Sequence, residues 1–238
     1  MNERYIPNCC TALSDHWPLP LHLPNTRLIS TQFDPGLFDP TVFDRCGIAP
    51  VRGVAKRQTE YLAGRLCARE ALYQVTGVAS VPEVGEDRAP VWPTGISGSI
   101  SHGRGLAAAI VADVSHWRGV GLDIECPLST ERATRLAKEI LTPAELQRIA
   151  DESAQQQAWR ISLTFSLKES LFKALYPLVL KRFYFEDAEL ISCDGGDQGK
   201  ARLRLLVDLN QHWRAGHEVE GQFCRVGNHQ LSLVHIPT

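Results

Sequence analysis

A β-strand is predicted by the stretch Gly119-Val120-Gly121-Leu122-Asp123-Ile124-Glu125. Aliphatic residues alternate in it with glycine and acidic residues, which is the two-residue period of a strand with one buried face. The opposite face then carries both carboxylates, Asp123 and Glu125. The stretch therefore predicts two carboxylates that can act together as oxygen ligands at the end of a buried strand.

A helix with a second set of charges is predicted about forty residues further on, by Phe165-Ser166-Leu167-Lys168-Glu169-Ser170-Leu171-Phe172-Lys173. Leucines at every fourth position from Leu163 to Leu175 predict its buried stripe, and Glu169 and Lys173 share a different face. Mg²⁺ suits a few carboxylates and leaves its other positions to water and phosphates, while a nearby lysine neutralises phosphate charge. The two segments together predict a site for magnesium and a pyrophosphate.

Each segment also has a purely structural interpretation. Glu169 and Lys173 have the spacing of an ordinary ion pair on a helix surface, and two acids at a strand end are often a solvated turn. Their occurrence in one chain favours a site. Glycines flank the apolar strand that ends in acids, and Ser166, Lys168 and Ser170 lie on a helix face that does not need such residues for packing.

The two segments resemble the signature of the 4′-phosphopantetheinyl transferases. That signature is Gly-hydrophobic-Asp, followed later by an aromatic residue, two residues, Lys-Glu-Ser or Lys-Glu-Ala, two residues and Lys, and both parts are complete here. Further agreement comes from Gly64-Arg65, from Asp87-Arg88-Ala89-Pro90 where the family has Gly-Lys-Pro, and from Ile100-Ser101-His102 where it has a Ser-His pair. The chain is similar to the longer bacterial Sfp/EntD type of this family from about Val54 to Tyr176.

The resemblance implies an α+β fold made of a pseudo-twofold pair of similar α+β halves, with the active site between them. We expect the first half at 51–127 and the second half at 128–238, so that Asp123 and Glu169 come from different halves. Residues 1–50 are rich in proline and aspartate, and we expect them to form an irregular N-terminal arm.

Periodicity and turn residues predict the individual elements of both halves. The first half is expected to contain a helix at 53–77 and strands at 96–101, 106–112 and 119–125. The second half is expected to contain helices near 130–138 and 142–151, the Glu169 helix ending at Pro177, and strands at 183–191, 201–209, 219–226 and 230–235.

The resemblance also implies an activity, which is transfer of the 4′-phosphopantetheine arm of coenzyme A to a serine of an apo acyl or peptidyl carrier protein. The other product would be adenosine 3′,5′-bisphosphate. Mg²⁺ would be held by Asp123, Glu125 and Glu169, and Lys173 would stabilise charge on the phosphate being cleaved. The base that deprotonates the serine stays open between Glu169 and a metal-bound water, because a carboxylate tied to a metal is a weaker base.

Ser101 and His102 are assigned by the resemblance to the phosphates of coenzyme A. A glycine-rich turn between two strands would expose backbone amides there. A loop or capping role is the structural alternative for His102, and zinc is disfavoured because no second histidine has a useful spacing. Ser101 lacks the Gly-x-Ser-x-Gly elbow of a hydrolytic nucleophile.

Basic residues on the first helix and in the following loop are further candidates for coenzyme A. We favour Arg57, which opens the helix, and Arg88, which keeps the charge of the lysine usual in the family. Lys56 and Arg65 are also candidates, although Arg65 lies beside the apolar stripe and is equally compatible with an ion pair or a backbone carbonyl contact.

Composition limits the partners and the compartment. The 238 residues are 44% hydrophobic. Their formal net charge of −2 gives no overall attraction to nucleic acid or to an anionic membrane. Seven cysteines without a Cys-x-x-Cys pair argue against a disulfide framework, so we expect a cytoplasmic protein. We also expect a monomer without a signal peptide or membrane anchor at Met1-Asn2-Glu3-Arg4.

A carrier protein is acidic and helical according to the resemblance, so its docking surface should be apolar with a basic rim. The segment Lys181-Arg182-Phe183-Tyr184 has this character, although it also suits an ordinary strand start. The carriers served, whether of fatty-acid, siderophore, polyketide or non-ribosomal peptide synthesis, are not determined by the sequence. The alternative functions are a magnesium-dependent phosphodiester or nucleotide hydrolase and a non-catalytic module that binds coenzyme A or a carrier protein.

Overall fold

The chain folds into two compact units, each with helices and antiparallel strands. The computed structural model describes residues 5–86 and 88–238, so Met1–Arg4 and Asp87 lie outside the described residues. The first unit comprises the residues up to Trp17 and Leu23–His116, and the second comprises Pro18–His22 and Trp117–Thr238. The expected α+β class is confirmed.

The first unit is built from one long helix and a four-stranded sheet. Its helices are α1 (Val42–Cys46) and α2 (Ala55–Thr76), and its strands are β1 (Ser14–Asp15), β2 (Thr26–Gln32), β3 (Glu83–Val84), β4 (Pro90–Val91), β5 (Ile96–Gly103) and β6 (Leu106–Asp113). The sheet order is β1-β2-β6-β5, while β3 and β4 form a separate hairpin. The expected helix and the first two expected strands agree with α2, β5 and β6 to within two residues.

The expectation of an irregular arm is wrong for the central part of residues 1–50. Strand β2 pairs with β6 along its whole length, from Thr26 opposite Ala112 to Gln32 opposite Leu106. Leu28 and Ile29 are adjacent in sequence and both are buried, so β2 lacks the alternation that marks a strand with one solvent face. The pairing with β6 supplies what the local pattern does not show.

Helix α2 packs closely on this sheet because small residues lie at the contact. A Cβ atom on Gly64 would lie 2.7 Å from Cγ2 of Ile100 in β5. Ala107, Ala108 and Ala109 of β6 are fully buried. The contact fixes α2 against β5, which carries Ser101 and His102.

The second unit contains three helices and a five-stranded sheet. The helices are α3 (Thr130–Ile140), α4 (Pro143–Arg148) and α5 (Ala154–Val179), and the strands are β7 (Trp117–Glu125), β8 (Ala188–Cys193), β9 (Gln198–Leu205), β10 (Glu218–Val226) and β11 (His229–Pro237). The order is β7-β11-β10-β9-β8, and every pairing is antiparallel. Apolar residues of α5, including Leu163, Leu167 and Leu171, form the core with this sheet.

Several boundaries in the second unit differ from the expectation, among them the end of α4, which lies at Arg148 and not at 151. Helix α5 continues past Pro177 to Val179, because a proline in the last turn removes only one helical hydrogen bond, and Leu180 then caps the helix at φ 51°. Strand β8 begins at Ala188, after a 3₁₀ turn over Phe185–Asp187. Strand β9 is shifted toward the N-terminus, to Gln198–Leu205.

Strand β7 lies in the second unit, not in the first half as expected. It pairs with β11 from Gly119 opposite Ile236 to Glu125 opposite Gln230. The division of the chain therefore falls between His116 and Trp117 instead of after residue 127, and Asp123 shares a unit with Glu169. The pseudo-twofold relation of the halves stays a prediction.

Among the described residues, no helix is both long and apolar enough to cross a lipid bilayer.

Candidate active site

Two glycines of β7 let helix α5 approach the strand backbone. A Cβ atom on Gly121 would lie 1.9 Å from the carbonyl oxygen of Ser170, and one on Gly119 would lie 2.4 Å from that of Ala174. Residues 119, 121 and 123 share one face of the strand, because side chains alternate along it. The glycines thus place Asp123 directly against α5.

Asp123 is the centre of a buried polar contact between β7 and α5, with 3% of its surface exposed. Lys173 donates from Nζ to Asp123 Oδ1 at 2.6 Å and to the Leu122 carbonyl at 3.1 Å. The Ser166 hydroxyl donates to Asp123 Oδ2 at 2.9 Å. Ser166 and Lys173 are seven residues apart and share a helix face, so one face of α5 supplies partners for both carboxylate oxygens.

A buried serine on β11 extends this contact. The Ser232 hydroxyl lies 2.7 Å from that of Ser166 and 2.8 Å from that of Ser170, and Ser170 also donates to the Ser232 carbonyl at 3.1 Å. All three serines have no exposed surface. They fix α5 to the sheet beside Asp123, and sequence reasoning missed Ser232 because its partners lie more than sixty residues away.

Glu125 and Glu169 add two half-buried carboxylates near Asp123. Burial raises the pKa of Glu125 to about 7, and the charges of Asp123 and, more weakly, Glu169 contribute to the rise. Burial also raises the pKa of Glu169, which Lys173 lowers and Asp123 raises. The three predicted carboxylates therefore lie close enough to affect one another, and Lys173 is a cation common to them.

The structure does not contain a closed metal cage at this point. Within residues 5–86 and 88–238, no three or more His, Cys, Asp or Glu side chains are arranged so that they could hold a metal ion. The donor types of Asp123, Glu125 and Glu169 suit Mg²⁺, and mutual repulsion of carboxylates is the charge pattern that a divalent cation relieves. The metal assignment stays a prediction supported by the chemistry of the donors.

Lys168 precedes Glu169 in the motif, but its role is structural. Its ammonium group is buried and donates to Glu145 Oε2 at 2.7 Å, to the Ile140 carbonyl at 2.9 Å and to the Phe185 carbonyl at 2.8 Å. Glu145 in turn caps α4 through Thr142 and accepts from the backbone N–H of Leu190. The pair ties α5 to α4 and β8, and so it holds the helix turn that carries Glu169.

An apolar groove opens beside Glu169. It has a volume of about 200 Å³ and is lined by Lys168, Glu169, Phe172, Arg182, Phe183, Tyr184, Phe185 and Ala188. Tyr184, which lines the groove, is 66% exposed, and Leu180, just before the segment 181–184, is 77% exposed. The segment 181–184 is therefore a loop with exposed apolar and basic side chains, and not the strand start that was its alternative interpretation.

A separate basic cluster lies in the first unit, where α2 meets β5. Arg57 Nη1 lies 3.4 Å from His102 Nε2, and His102 Nδ1 lies 3.8 Å from Glu60 Oε2. Lys56 Nζ lies 3.9 Å from Glu60 Oε1. The structure thus brings together three of the residues predicted for coenzyme A phosphates around Glu60, which sequence reasoning did not assign to this group.

The remaining basic candidates occupy different surroundings. Arg65 is 5% exposed, and its Nη2 lies 3.5 Å from the Glu83 carbonyl with the guanidinium 5.0 Å above the Tyr61 ring. These contacts favour the structural interpretation of Arg65. Ser101 is also buried, whereas Arg88 is exposed and has a left-handed backbone at φ 70° in the turn after β3.

Comparison with known proteins assigns most of the chain to one family. Residues 51–112 match the family model of the 4′-phosphopantetheinyl transferase N-terminal domain, and residues 119–234 match that of the 4′-phosphopantetheinyl transferase superfamily. The second match covers β7 and α5, which carry the site.

Three relatives illustrate the similarity. Enterobactin synthase component D of Escherichia coli O157:H7 is 45% identical over 119 residues, which are 50% of this chain and 55% of that protein. Enterobactin synthase component D of Salmonella typhi is 38% identical over 186 residues, covering 75% of this chain and 72% of that protein. 4′-Phosphopantetheinyl transferase Svp of Streptomyces mobaraensis is 38% identical over 159 residues, covering 66% and 62%. The chain spans about half the length of the first of these relatives and nearly three quarters of the second. It belongs to the 4′-phosphopantetheinyl transferase superfamily.

Proposed function

We propose that this member of the superfamily transfers the 4′-phosphopantetheine arm of coenzyme A to a serine hydroxyl of an apo acyl or peptidyl carrier protein. The second product is adenosine 3′,5′-bisphosphate. The observation that carries the proposal is the contact of Lys173 with buried Asp123, beside Glu125 and Glu169. Two of the relatives described above are enterobactin synthase components and one is a 4′-phosphopantetheinyl transferase, which supports the same activity.

Lys173 is the proposed stabiliser of charge on the phosphate being cleaved. Its side chain is 27% exposed, and the ion pair with Asp123 orients its ammonium group. A preorganised cation costs no reorganisation when charge develops on the leaving phosphate. Asp123 is 4% exposed in its side chain and orients the lysine through their 2.6 Å ion pair.

Asp123, Glu125 and Glu169 are the proposed holders of Mg²⁺, which when bound would neutralise the pyrophosphate of coenzyme A. Glu169, or a water beside it, is the proposed acceptor of the serine proton. Burial raises the pKa of Glu169 in the absence of a metal, whereas a bound Mg²⁺ would lower it again, so a water beside Glu169 stays the alternative base.

The nucleotide end of coenzyme A is proposed to bind the cluster of the first unit. Arg57 and His102 are adjacent there, and Lys56 contacts the same glutamate as His102. Two different donors within 3.4 Å of each other suit the oxygens of one phosphate group. Arg88 stays a candidate because it is exposed, whereas burial makes Ser101 and Arg65 less accessible to a ligand.

The carrier protein is proposed to dock at the groove beside Glu169. Exposed Leu180 and Tyr184 supply apolar surface, and Lys181 and Arg182 supply a basic rim. An acidic helical carrier is complementary to such a surface, and docking there would bring its serine to Glu169.

The seven cysteines are unpaired, which supports a reducing compartment such as the cytoplasm.

Mass spectrometry of apo carrier proteins tests the activity. The protein is incubated with coenzyme A, Mg²⁺ and a panel of apo acyl, aryl and peptidyl carriers, and the added phosphopantetheine mass is expected on at least one carrier serine. The reaction is expected to stop in excess chelator. Release of the bisphosphate from coenzyme A without any carrier would identify a hydrolase instead, and binding of coenzyme A without turnover would identify a binding module.

A further inference from the structure

Glu60 is an acidic residue at the centre of a cluster that we assign to an anion. Its carboxylate is 12% exposed and lies 3.9 Å from Lys56 Nζ through one oxygen and 3.8 Å from His102 Nδ1 through the other. A carboxylate at this position repels a bound phosphate. Glu60 must therefore favour phosphate binding in another way that offsets this repulsion, and its contact with His102 indicates how.

The two ring nitrogens of His102 face opposite charges. Nδ1 faces Glu60, and Nε2 lies 3.4 Å from Nη1 of Arg57. Arg57 and Glu60 both come from α2, Lys56 Nζ lies 3.9 Å from Glu60, and Arg104 follows on the turn between β5 and β6. Arginine is a donor only, so without an anion Nε2 accepts from Arg57 and the ring proton lies on Nδ1 toward Glu60.

We propose that Glu60 is a positioning residue that keeps the His102 imidazole oriented and protonated, so that His102 Nε2–H and the Arg57 guanidinium donate together to one phosphate of coenzyme A. The proposal rests on the function proposed above. The second proton on the ring creates an imidazolium beside the guanidinium of Arg57. Glu60 offsets that repulsion from the other side of the ring.

The net effect of Glu60 on phosphate binding depends on pH. The anion contacts the imidazolium directly, whereas Glu60 lies beyond the ring, and charge interactions near the surface weaken with distance and salt. Above the pH at which an isolated histidine loses its proton, the retained positive charge outweighs the distant repulsion. Below that pH the imidazole is protonated even without Glu60, so only the repulsion between the Glu60 carboxylate and the phosphate remains. If Glu60 only filled space, its effect on phosphate affinity would not change from favourable to unfavourable with pH.

Glu60→Gln, with Glu70→Gln as the matched control, tests the inference. Gln keeps the size of the side chain and removes its charge, and Glu70 lies on the same helix, where it accepts from Gln74 at 3.0 Å. Coenzyme A affinity is measured by calorimetry from pH 5.5 to pH 8.5, with thermal melting as a check of the fold. In Glu60→Gln we expect about tenfold weaker binding at pH 8 and equal or tighter binding at pH 5.5, since a neighbouring opposite charge shifts a titration by about one unit. Glu70→Gln is expected to follow the wild type.

Nuclear magnetic resonance of ¹³C-labelled histidine gives a second readout that does not require coenzyme A. The His102 signal, assigned with His102→Gln, is expected to titrate about one pH unit lower in Glu60→Gln than in the wild type. Glu60→Asp, which keeps the charge, is the matched control and is expected to titrate near the wild type, and Glu60→Ala takes the place of Glu60→Gln if that variant does not fold. In a His102→Gln background, Glu60→Gln is expected to cause no further loss of affinity at pH 8.

An unchanged His102 titration in Glu60→Gln, or affinity curves for variant and wild type that stay parallel across pH, would overturn the inference. The two proposals fail separately. If the wild type does not bind coenzyme A but the His102 titration still shifts, the phosphate assignment is wrong while the coupling of Glu60 to His102 is right.

Discussion

Gly121→Ala tests whether the close approach of α5 to β7 is what builds the active site. The new Cβ atom would lie 1.9 Å from the Ser170 carbonyl oxygen and 2.6 Å from the Ala174 nitrogen. Real Cβ atoms do not approach other heavy atoms within 3.0 Å, so α5 and β7 must separate locally by at least about 1.1 Å. Both obstacles are helix backbone, so no rotamer change relieves the clash.

The separation acts directly on the contact between Asp123 and Lys173, which is 2.6 Å long and lies two residues from Gly121 on the strand. A misplacement of about 1 Å at a catalytic group costs on the order of a hundredfold in rate. Overpacking of a close-packed core costs about 1–3 kcal/mol of the free energy of unfolding. We therefore expect a folded but less stable variant with kcat reduced about a hundredfold.

The assay is steady-state transfer to an apo carrier protein at saturating coenzyme A, combined with urea unfolding of the same preparations. Gly196→Ala is the matched control, because a Cβ atom there meets nothing within 4 Å and the backbone is not left-handed. The control is expected to keep wild-type kcat and stability. Wild-type turnover by Gly121→Ala would refute the argument that this glycine sets the position of Lys173.

Three further predictions follow from single contacts. Lys173→Ala should lower kcat about a hundredfold in the transfer assay, whereas unchanged turnover would leave only the ion pair with Asp123. Lys168→Met should cost about 3–5 kcal/mol in urea unfolding, because buried Glu145 loses its cation; wild-type stability would contradict this. The wild type should use coenzyme A better than its 3′-dephospho form, and Arg57→Ala should use the two donors nearly equally well. This comparison is a double-mutant cycle with one change on the ligand, and an undiminished preference in Arg57→Ala would show that Arg57 does not contact the 3′-phosphate.

The sequence predicted the elements whose signal is local. Helix α2, strand β7 and the leucine stripe of α5 agree with their periodicity, because a buried face repeats within the element itself. Pro177 misled the prediction of the helix end, since proline disrupts a helix interior far more than its last turn. The three candidate carboxylates were likewise selected from the alternation in β7 and the i, i+4 pair on α5, and their role stays a proposal.

What the sequence did not predict depends on partners that are distant along the chain. Strand β2 is recognised only through its pairing with β6. Lys168 and Glu145 each had a visible local role, in the motif and in the cap of α4, but nothing local shows that they bind each other. Glu60 has the spacing of a helix pair with Lys56, while its contact with His102 crosses forty-two residues.

The polar residues of α5 show why the site and the core cannot be separated. The sequence argument treated Ser166 and Ser170 as residues that packing does not need, yet both are fully buried and bind Ser232. Buried hydroxyls without partners would destabilise the fold, so this network is a condition for packing α5 against the sheet. Ser166 is also a direct partner of Asp123. A change at Ser232 should therefore reach Asp123 through a single side chain, so stability and turnover are expected to fall together along this network.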